Sequence, residues 1–157
     1  MISETRGSDG NLVRHLSLRW RGVVLKSDEK EECILNAQND GVTKLYTGAS
    51  ACWRTVTPVI LHGHNAQRGV ISIAKTEKLL LRAFAMAGLP PETIDSLAFQ
   101  PAPFWPGSEA ATRIRVPKHL ENYPRYHVEV KFRARVEGPV MAGIGRHYGI
   151  GLFAAKG

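Results

Sequence analysis

Residues Arg125 to Val136 alternate without a break. The even positions are Tyr126, Val128, Val130, Phe132, Ala134 and Val136; the odd positions are Arg125, His127, Glu129, Lys131, Arg133 and Arg135. Successive side chains of a strand point to opposite faces, whereas a helix would scatter this pattern around its axis. The stretch therefore predicts one long strand with an apolar face on a core and a basic face left open. Such a strand needs neighbours, and one-sided burial is the habit of antiparallel sheets. Arg113 and Arg115, separated by Ile114 and followed by Val116, repeat the alternation on a smaller scale.

The helix that covers this sheet is predicted at Ser72 to Ala87, where Ile73, Leu80, Phe84 and Ala87 share a stripe at helical spacing. Gly88 stops it, and Pro90-Pro91 prevents continuation. Thr55 to Leu61 is rich in β-branched residues and reads as a strand, with Pro58 marking an edge or a bulge. Ile94 to Gln100 reads as another strand. Pro101 to Gly107 is a connection whose Phe104 and Trp105 either cover the core or stack a base. Leu12 to Arg21 alternates as a strand would, Lys26 to Val42 reads as a loop or a weak charged helix, and Met1 to Asn11 is polar and expected to be disordered.

From Thr55 onward, with a short helical turn near Pro139 to Ala142, the order approximates βαββαβ. The fold class expected is α+β: a ferredoxin-like (RRM-like) antiparallel sheet packed on helices, with an incomplete or atypical N-terminal half. The corresponding division is a disordered 1–11, a strand and loop segment 12–50, and a ferredoxin-like domain 51–157. At 157 residues the chain has room for one domain, or one with an incomplete second.

The C-terminal stretch Gly138 to Phe153 concentrates glycine as two Gly-Ile-Gly units, Gly143 to Gly145 and Gly149 to Gly151, around Arg146-His147-Tyr148. Glycine in regular structure costs of order 1 kcal/mol relative to alanine, so its repetition predicts a loop whose backbone closely approaches something. No Lys-Ser/Thr follows, and the spacing misses the dinucleotide fingerprint by one residue. The bland alternative is a glycine-rich turn that packs closely. A cation, a titratable ring and a stacking surface in that loop suit RNA. The formal net charge of +7 agrees, with nine Lys/Arg against four Asp/Glu after Phe99's neighbour Ala98.

Cys33 and Cys52 stand apart without a CxxC and are expected to be free thiols. No apolar run reaches the roughly 20 residues of a membrane span, and no signal-peptide core is present, so a cytoplasmic protein without membrane contact is expected. His62-Gly63-His64 has metal-like spacing but no carboxylate nearby; neither a metal nor a cofactor is implied.

Trp53-Arg-Thr-Val-Thr-Pro-Val-Ile-Leu61, Pro117-Lys-His-Leu120, Arg125-Tyr-His-Val128 and the glycine tail resemble one family. It is the C-terminal part of the type I-U (I-G) CRISPR protein that fuses a Cascade backbone module to a repeat-processing endoribonuclease of the RAMP superfamily. The resemblance covers about two-thirds of the chain, which lacks the long N-terminal module of the fusion. It implies metal-independent cleavage of CRISPR repeat RNA, leaving a 2′,3′-cyclic phosphate. Other CRISPR effector subunits are further partners on this reading, and an exposed sheet face or edge favours docking or a homodimer.

Cleavage by the 2′-hydroxyl needs a base, an acid and a cation near the phosphate, and histidine suits either proton-transfer role. His127, on the basic strand face, and His147, between the glycine pairs, are the catalytic candidates; His119 and His15 follow. Arg113, Arg115, Arg125, Lys131, Arg133, Arg135, Gly143, Gly145, Arg146, Tyr148, Gly149 and Gly151 are the expected RNA contacts. Two other readings compete: a non-catalytic RAMP subunit holding processed RNA in a surveillance complex, and a small RNA-binding protein outside CRISPR biology.

Overall fold

The computed structural model describes residues 2–6, 12–16, 23–26, 32–35, 41–67 and 69–156. They fall into two units, Met1–Asp40 and Gly41–Gly157. In the first, β1 (Ile2–Arg6) pairs antiparallel with β2 (Leu12–Leu16), and β3 (Val23–Lys26) with β4 (Glu32–Leu35). A strand thus lies within the stretch expected to be disordered. Another, β4, replaces the loop or weak helix expected there, because Cys33-Ile34-Leu35 is too short a run to display a period. The alternating stretch predicted at Leu12 to Arg21 is a strand as far as Leu16; its remainder, and the His15 side chain, lie outside the described residues.

The second unit runs α1 (Gly41–Thr47), β5 (Ala49–Thr55), β6 (Val59–Ile60), a small pair β7 (Ala66–Gln67) and β8 (Val70–Ile71), α2 (Ile73–Ala85), β9 (Ile94–Gln100), β10 (Arg125–Glu137) and β11 (Phe153–Ala155). The sheet order is β11-β5-β10-β9, and every pairing is antiparallel. β6 continues along the same edge of β10 after a break at Pro58, so the expected bulge is there. Counting β5 with β6 as the first strand, the order is fourth-first-third-second, the ferredoxin-like arrangement. α2 makes the first crossover. The second, residues 138–152, has no α-helix: the turn expected at Pro139 to Ala142 is instead a β-bridge from Met141 to Leu152, with a 3₁₀ turn later at Arg146–Tyr148.

Helix α2 starts where the Ser72 hydroxyl accepts from the Lys75 amide at 3.3 Å, satisfying an orphan donor of the first turn. It ends before Gly88, whose φ of +82° allows the Leu89 amide to reach back to the Phe84 carbonyl. Its buried stripe is Thr76, Leu80, Ala83 and Phe84. Ile73, expected on that stripe, is exposed because it sits at the first turn, beyond the edge of the sheet core.

Phe84 meets Phe132 edge-on at 6.1 Å and Phe153 at 5.6 Å, over Trp53, Val128 and Val130. Burying each such side chain contributes about 1.5–3 kcal/mol. The buried Asn65 amide donates to the Thr76 hydroxyl and the Tyr126 hydroxyl, both at 2.7 Å. That pair of bonds ties the segment after β6 to both α2 and β10. Tyr126 is accordingly a core residue, as its place on the apolar face predicts.

Candidate nucleic-acid interface

The open sheet face is less open than the alternation suggests. After β9 the chain crosses back over it in a long connection, residues 101–124, before entering β10. The Trp105 indole donates to the Arg54 carbonyl at 3.3 Å, and the Arg54 guanidinium lies 5.9 Å from the Phe104 ring and 5.8 Å from the Trp105 ring. Beneath the same connection His127 is fully buried. Its Nε2 lies 2.9 Å from the Glu109 carbonyl, which can only accept, so Nε2 carries a proton; Nδ1 is 3.1 Å from the Thr55 hydroxyl. The expectation of a solvent-facing histidine beside a bound phosphate is corrected here: His127 latches the connection to the sheet.

The glycine loop is also built inward. Gly143 (φ +93°) has the Ile60 carbonyl 2.6 Å from where a Cβ would stand, and Gly151 (φ +89°) has the Ala142 carbonyl at 2.0 Å. Neither site accommodates a side chain, and Gly145 is likewise buried. The amides of Ile144, Tyr148, Gly149 and Ile150 donate to protein carbonyls. The Thr57 hydroxyl accepts from the Gly151 and Leu152 amides, both at 3.0 Å, and donates to the Gly149 carbonyl at 3.1 Å. What the glycine backbone approaches is therefore β6 and the loop itself. Gly149, His147 and Tyr148 remain exposed, and Arg146 is half-buried.

Lys131 and Arg133 face solvent from β10, where Asp95 takes both, at 2.9 and 3.9 Å. Asp95 is held below the usual carboxylate range by the Lys131 hydrogen bond and charge, and Lys131 is raised in return. Glu129 is paired with Arg54 and lies 3.5 Å from Lys156; the Arg54 hydrogen bond is the main cause of its lowered pKa. Arg135 donates to the Ala49 carbonyl at 2.6 Å. Cys52, a free thiol on this face, is pushed up by burial and by Glu129.

The edge formed by the connection differs. Arg113, Arg115 and Arg125 line a cleft of about 500 Å³ with Ile114, Val116 and Glu121. The smaller strand expected at Arg113 to Val116 is a turn followed by irregular backbone, because nothing in the sheet pairs with it. Arg125 donates to the Ile114 and Glu121 carbonyls at 2.9 and 3.2 Å, which fixes its fork. A small apolar cluster of Ile60, Leu120 and Ile150, with Val116, Tyr123 and Ile144 against it, joins this cleft to the glycine loop. On its outside the His119 and Tyr148 rings meet edge-on at 5.7 Å, and His64 stacks on Tyr123 at 5.5 Å, the planes within 6°. His62, the other half of the HxH pair, has both ring nitrogens buried without a partner among the described residues. Burial, then the Arg82 charge, lowers its pKa.

A family model described as CRISPR-associated protein, GSU0054 family, matches residues 12–155, nearly the whole chain. The chain belongs to this family. No curated protein and no solved structure matches it. Membership sets aside a role outside CRISPR biology. Among the described residues of this CRISPR-associated protein, no helix is long and apolar enough to cross a membrane. The residues singled out in the sequence divide three ways. His119 and Tyr148 meet on an exposed edge with His147 and Gly149 beside them in the chain, and the Ile60–Leu120–Ile150 cluster joins it to the cleft of Arg113, Arg115 and Arg125; Lys131, Arg133 and Arg135 lie on the sheet face; His127, Gly143, Gly145 and Gly151 are buried structure, with Arg146 half-buried. Thr57 and the His64–Tyr123 stack carry parts of the edge that sequence reasoning passed over. Only the motif Thr57-Pro58 signalled the first, and nothing local signalled the second.

Proposed function

We propose that this CRISPR-associated protein binds precursor CRISPR RNA at its repeats and cleaves it as a metal-independent endoribonuclease of RAMP type. The single observation that carries the reading is the exposed edge where the His119 and Tyr148 rings meet, with His147 next in the chain and the Ile60–Leu120–Ile150 cluster joining that edge to the arginine cleft. In the reaction the 2′-oxygen attacks the adjacent phosphorus, the bond to the 5′-oxygen breaks, and a 2′,3′-cyclic phosphate and a 5′-hydroxyl result. One histidine takes the 2′-proton and the other supplies a proton to the leaving oxygen; such transfer typically contributes about 10²- to 10⁴-fold. His119, against the Tyr148 ring, and His147, the neighbour of Tyr148 in the chain, take the place of His127 as the candidates for these roles. The cleft guanidiniums grip backbone phosphates next to the scissile one, each adding a salt-dependent increment through counterion release. Tyr148, 55% exposed, offers a base a stacking surface worth roughly 1–3 kcal/mol.

A second reading is a non-catalytic RAMP subunit that holds processed RNA in a surveillance complex with other effector subunits. It is favoured by the absence, among the described residues, of any hydrogen bond orienting His119 or His147. The deciding experiment incubates purified protein with end-labelled repeat RNA in excess EDTA and reads the products on a sequencing gel. One cut, blocked by 2′-deoxy substitution at that nucleotide and slowed at least 100-fold by His147→Ala or His119→Ala, supports the nuclease. RNA bound tightly and left intact supports the second reading.

A further inference from the structure

The arginine cleft beside the turn at Lys118–Leu120 has the attributes of a built anion site. A guanidinium does not deprotonate in a protein, so three of them facing one cleft repel unless a counter-charge arrives. On the sheet face that counter-charge is supplied by Asp95 and Glu129. In the cleft, among the described residues, none of Arg113, Arg115 and Arg125 is ion-paired, although Glu121 is part of the same wall. Arg125 is held by two carbonyls and still presents three of its five N–H groups. Arg113 and Arg115 are exposed and make no side-chain hydrogen bond among the described residues. The volume, about 500 Å³, lies within the roughly 300–1,000 Å³ of small-ligand pockets and greatly exceeds what a lone phosphate fills. Ile114 and Val116 supply apolar wall on which a ring can lie.

From these features we infer that the cleft holds one unpaired nucleotide of the RNA, its phosphate on Arg113 and Arg115 and its base against Ile114 and Val116. The inference rests on the reading of this edge as an RNA surface and adds a division of labour within it. The His119–Tyr148 side meets the reacting phosphate, and the cleft takes a single-stranded neighbour. A nucleotide fits this chemistry better than an acidic peptide, since a carboxylate side chain brings charge but no ring to match the apolar wall.

The test compares a fluorescent repeat hairpin alone with the same hairpin carrying a five-nucleotide single-stranded flank on either side, by anisotropy with the full chain. The flank is expected to tighten binding about tenfold. Arg113→Gln/Arg115→Gln should abolish that gain and leave the affinity for the bare hairpin within about twofold. The salt dependence for the flanked RNA should become shallower by about 1.4 in log–log slope, two phosphate contacts on a single strand. Unchanged thermal melting of the double variant verifies its fold, and Arg115→Glu, which reverses the charge, should place flanked RNA below the bare hairpin. Hairpin binding with no gain from either flank, or an equal loss for both RNAs, overturns the cleft and leaves the RNA reading intact. No binding of either RNA overturns both. Polyglutamate displacing the flank as readily as mixed nucleoside 5′-monophosphates also overturns the nucleotide assignment.

Discussion

On the sheet face Lys131 and Arg133 share Asp95, while Arg54 and Lys156 share Glu129. Along the neighbouring connection Arg113, Arg115 and Arg125 line a cleft with no carboxylate in ion-pairing distance among the described residues. Both regions come from the same alternation of arginine with apolar residues. Their different fates follow from what the fold lays beside them. β9 and β10 set Asp95 and Glu129 among the strand cations, whereas the part of the connection that carries Arg113 and Arg115 pairs with no strand that could bring them a carboxylate. A cation already paired has less to offer a phosphate, so charge density in a sequence marks where positive residues are, and pairing decides which remain available.

Four experiments would break or sharpen this contrast, the largest effect first. His127→Ala removes the latch between the sheet and the connection, leaving the Glu109 carbonyl and Thr55 hydroxyl without their ring partner. The expected cost is about 3 kcal/mol of stability by urea unfolding, from unsatisfied polar groups and a cavity together. Full stability with selective loss of cleavage would return His127 to the reaction.

The second concerns His62, whose pKa is lowered by burial and then by the Arg82 charge. A histidine with a lowered folded-state pKa takes up its proton more readily when unfolded. Its neutral form therefore favours folding above the ordinary value of 6.5, and stability declines as pH drops below it. His62→Gln should flatten the stability profile between pH 7 and 5; an unchanged slope would place the acid sensitivity elsewhere.

The smallest effects belong to the sheet face. Glu129→Gln should cost less than about 1 kcal/mol. Because Arg54 holds this carboxyl low, its contribution is present above the ordinary carboxylate range and disappears as pH falls through it. Lys131→Ala/Arg133→Ala should change RNA affinity less than about threefold. A loss as large as that of the cleft variant would show that pairing does not govern which cations serve.

How much could be read in advance follows the range of the forces involved. β10 was expected to end at Val136 and ends at Glu137, and α2 stops before Gly88, since a strand period and a helix cap are written in adjacent residues. The ferredoxin-like strand order also follows, because a helix between two predicted strands has few ways to return. His127 was misplaced because its burial depends on Glu109 and Trp105, which arrive from a connection with no periodicity of its own. The glycines of the loop read as a backbone that must touch something, for which RNA is the expectation and close packing the alternative, and at Gly143 and Gly151 the alternative holds. Ile60 and Ala142 occupy those approaches. The edge of Arg113, His119, His147 and Tyr148 is assembled by the apolar contact of Leu120 with Ile60 and Ile150, three segments far apart in the chain.

Thr57 bonds to loop positions 92, 94 and 95 residues further along. Contacts so distant are reached only after a long stretch of chain has been ordered, which slows their formation relative to local structure. During synthesis the β5 segment and α2 emerge long before Gly149, so the nascent chain displays its arginines well ahead of the edge that arranges them. Arranging that edge therefore belongs with the long-range contacts of the fold, the last to be reached and the first to be lost when the loop opens.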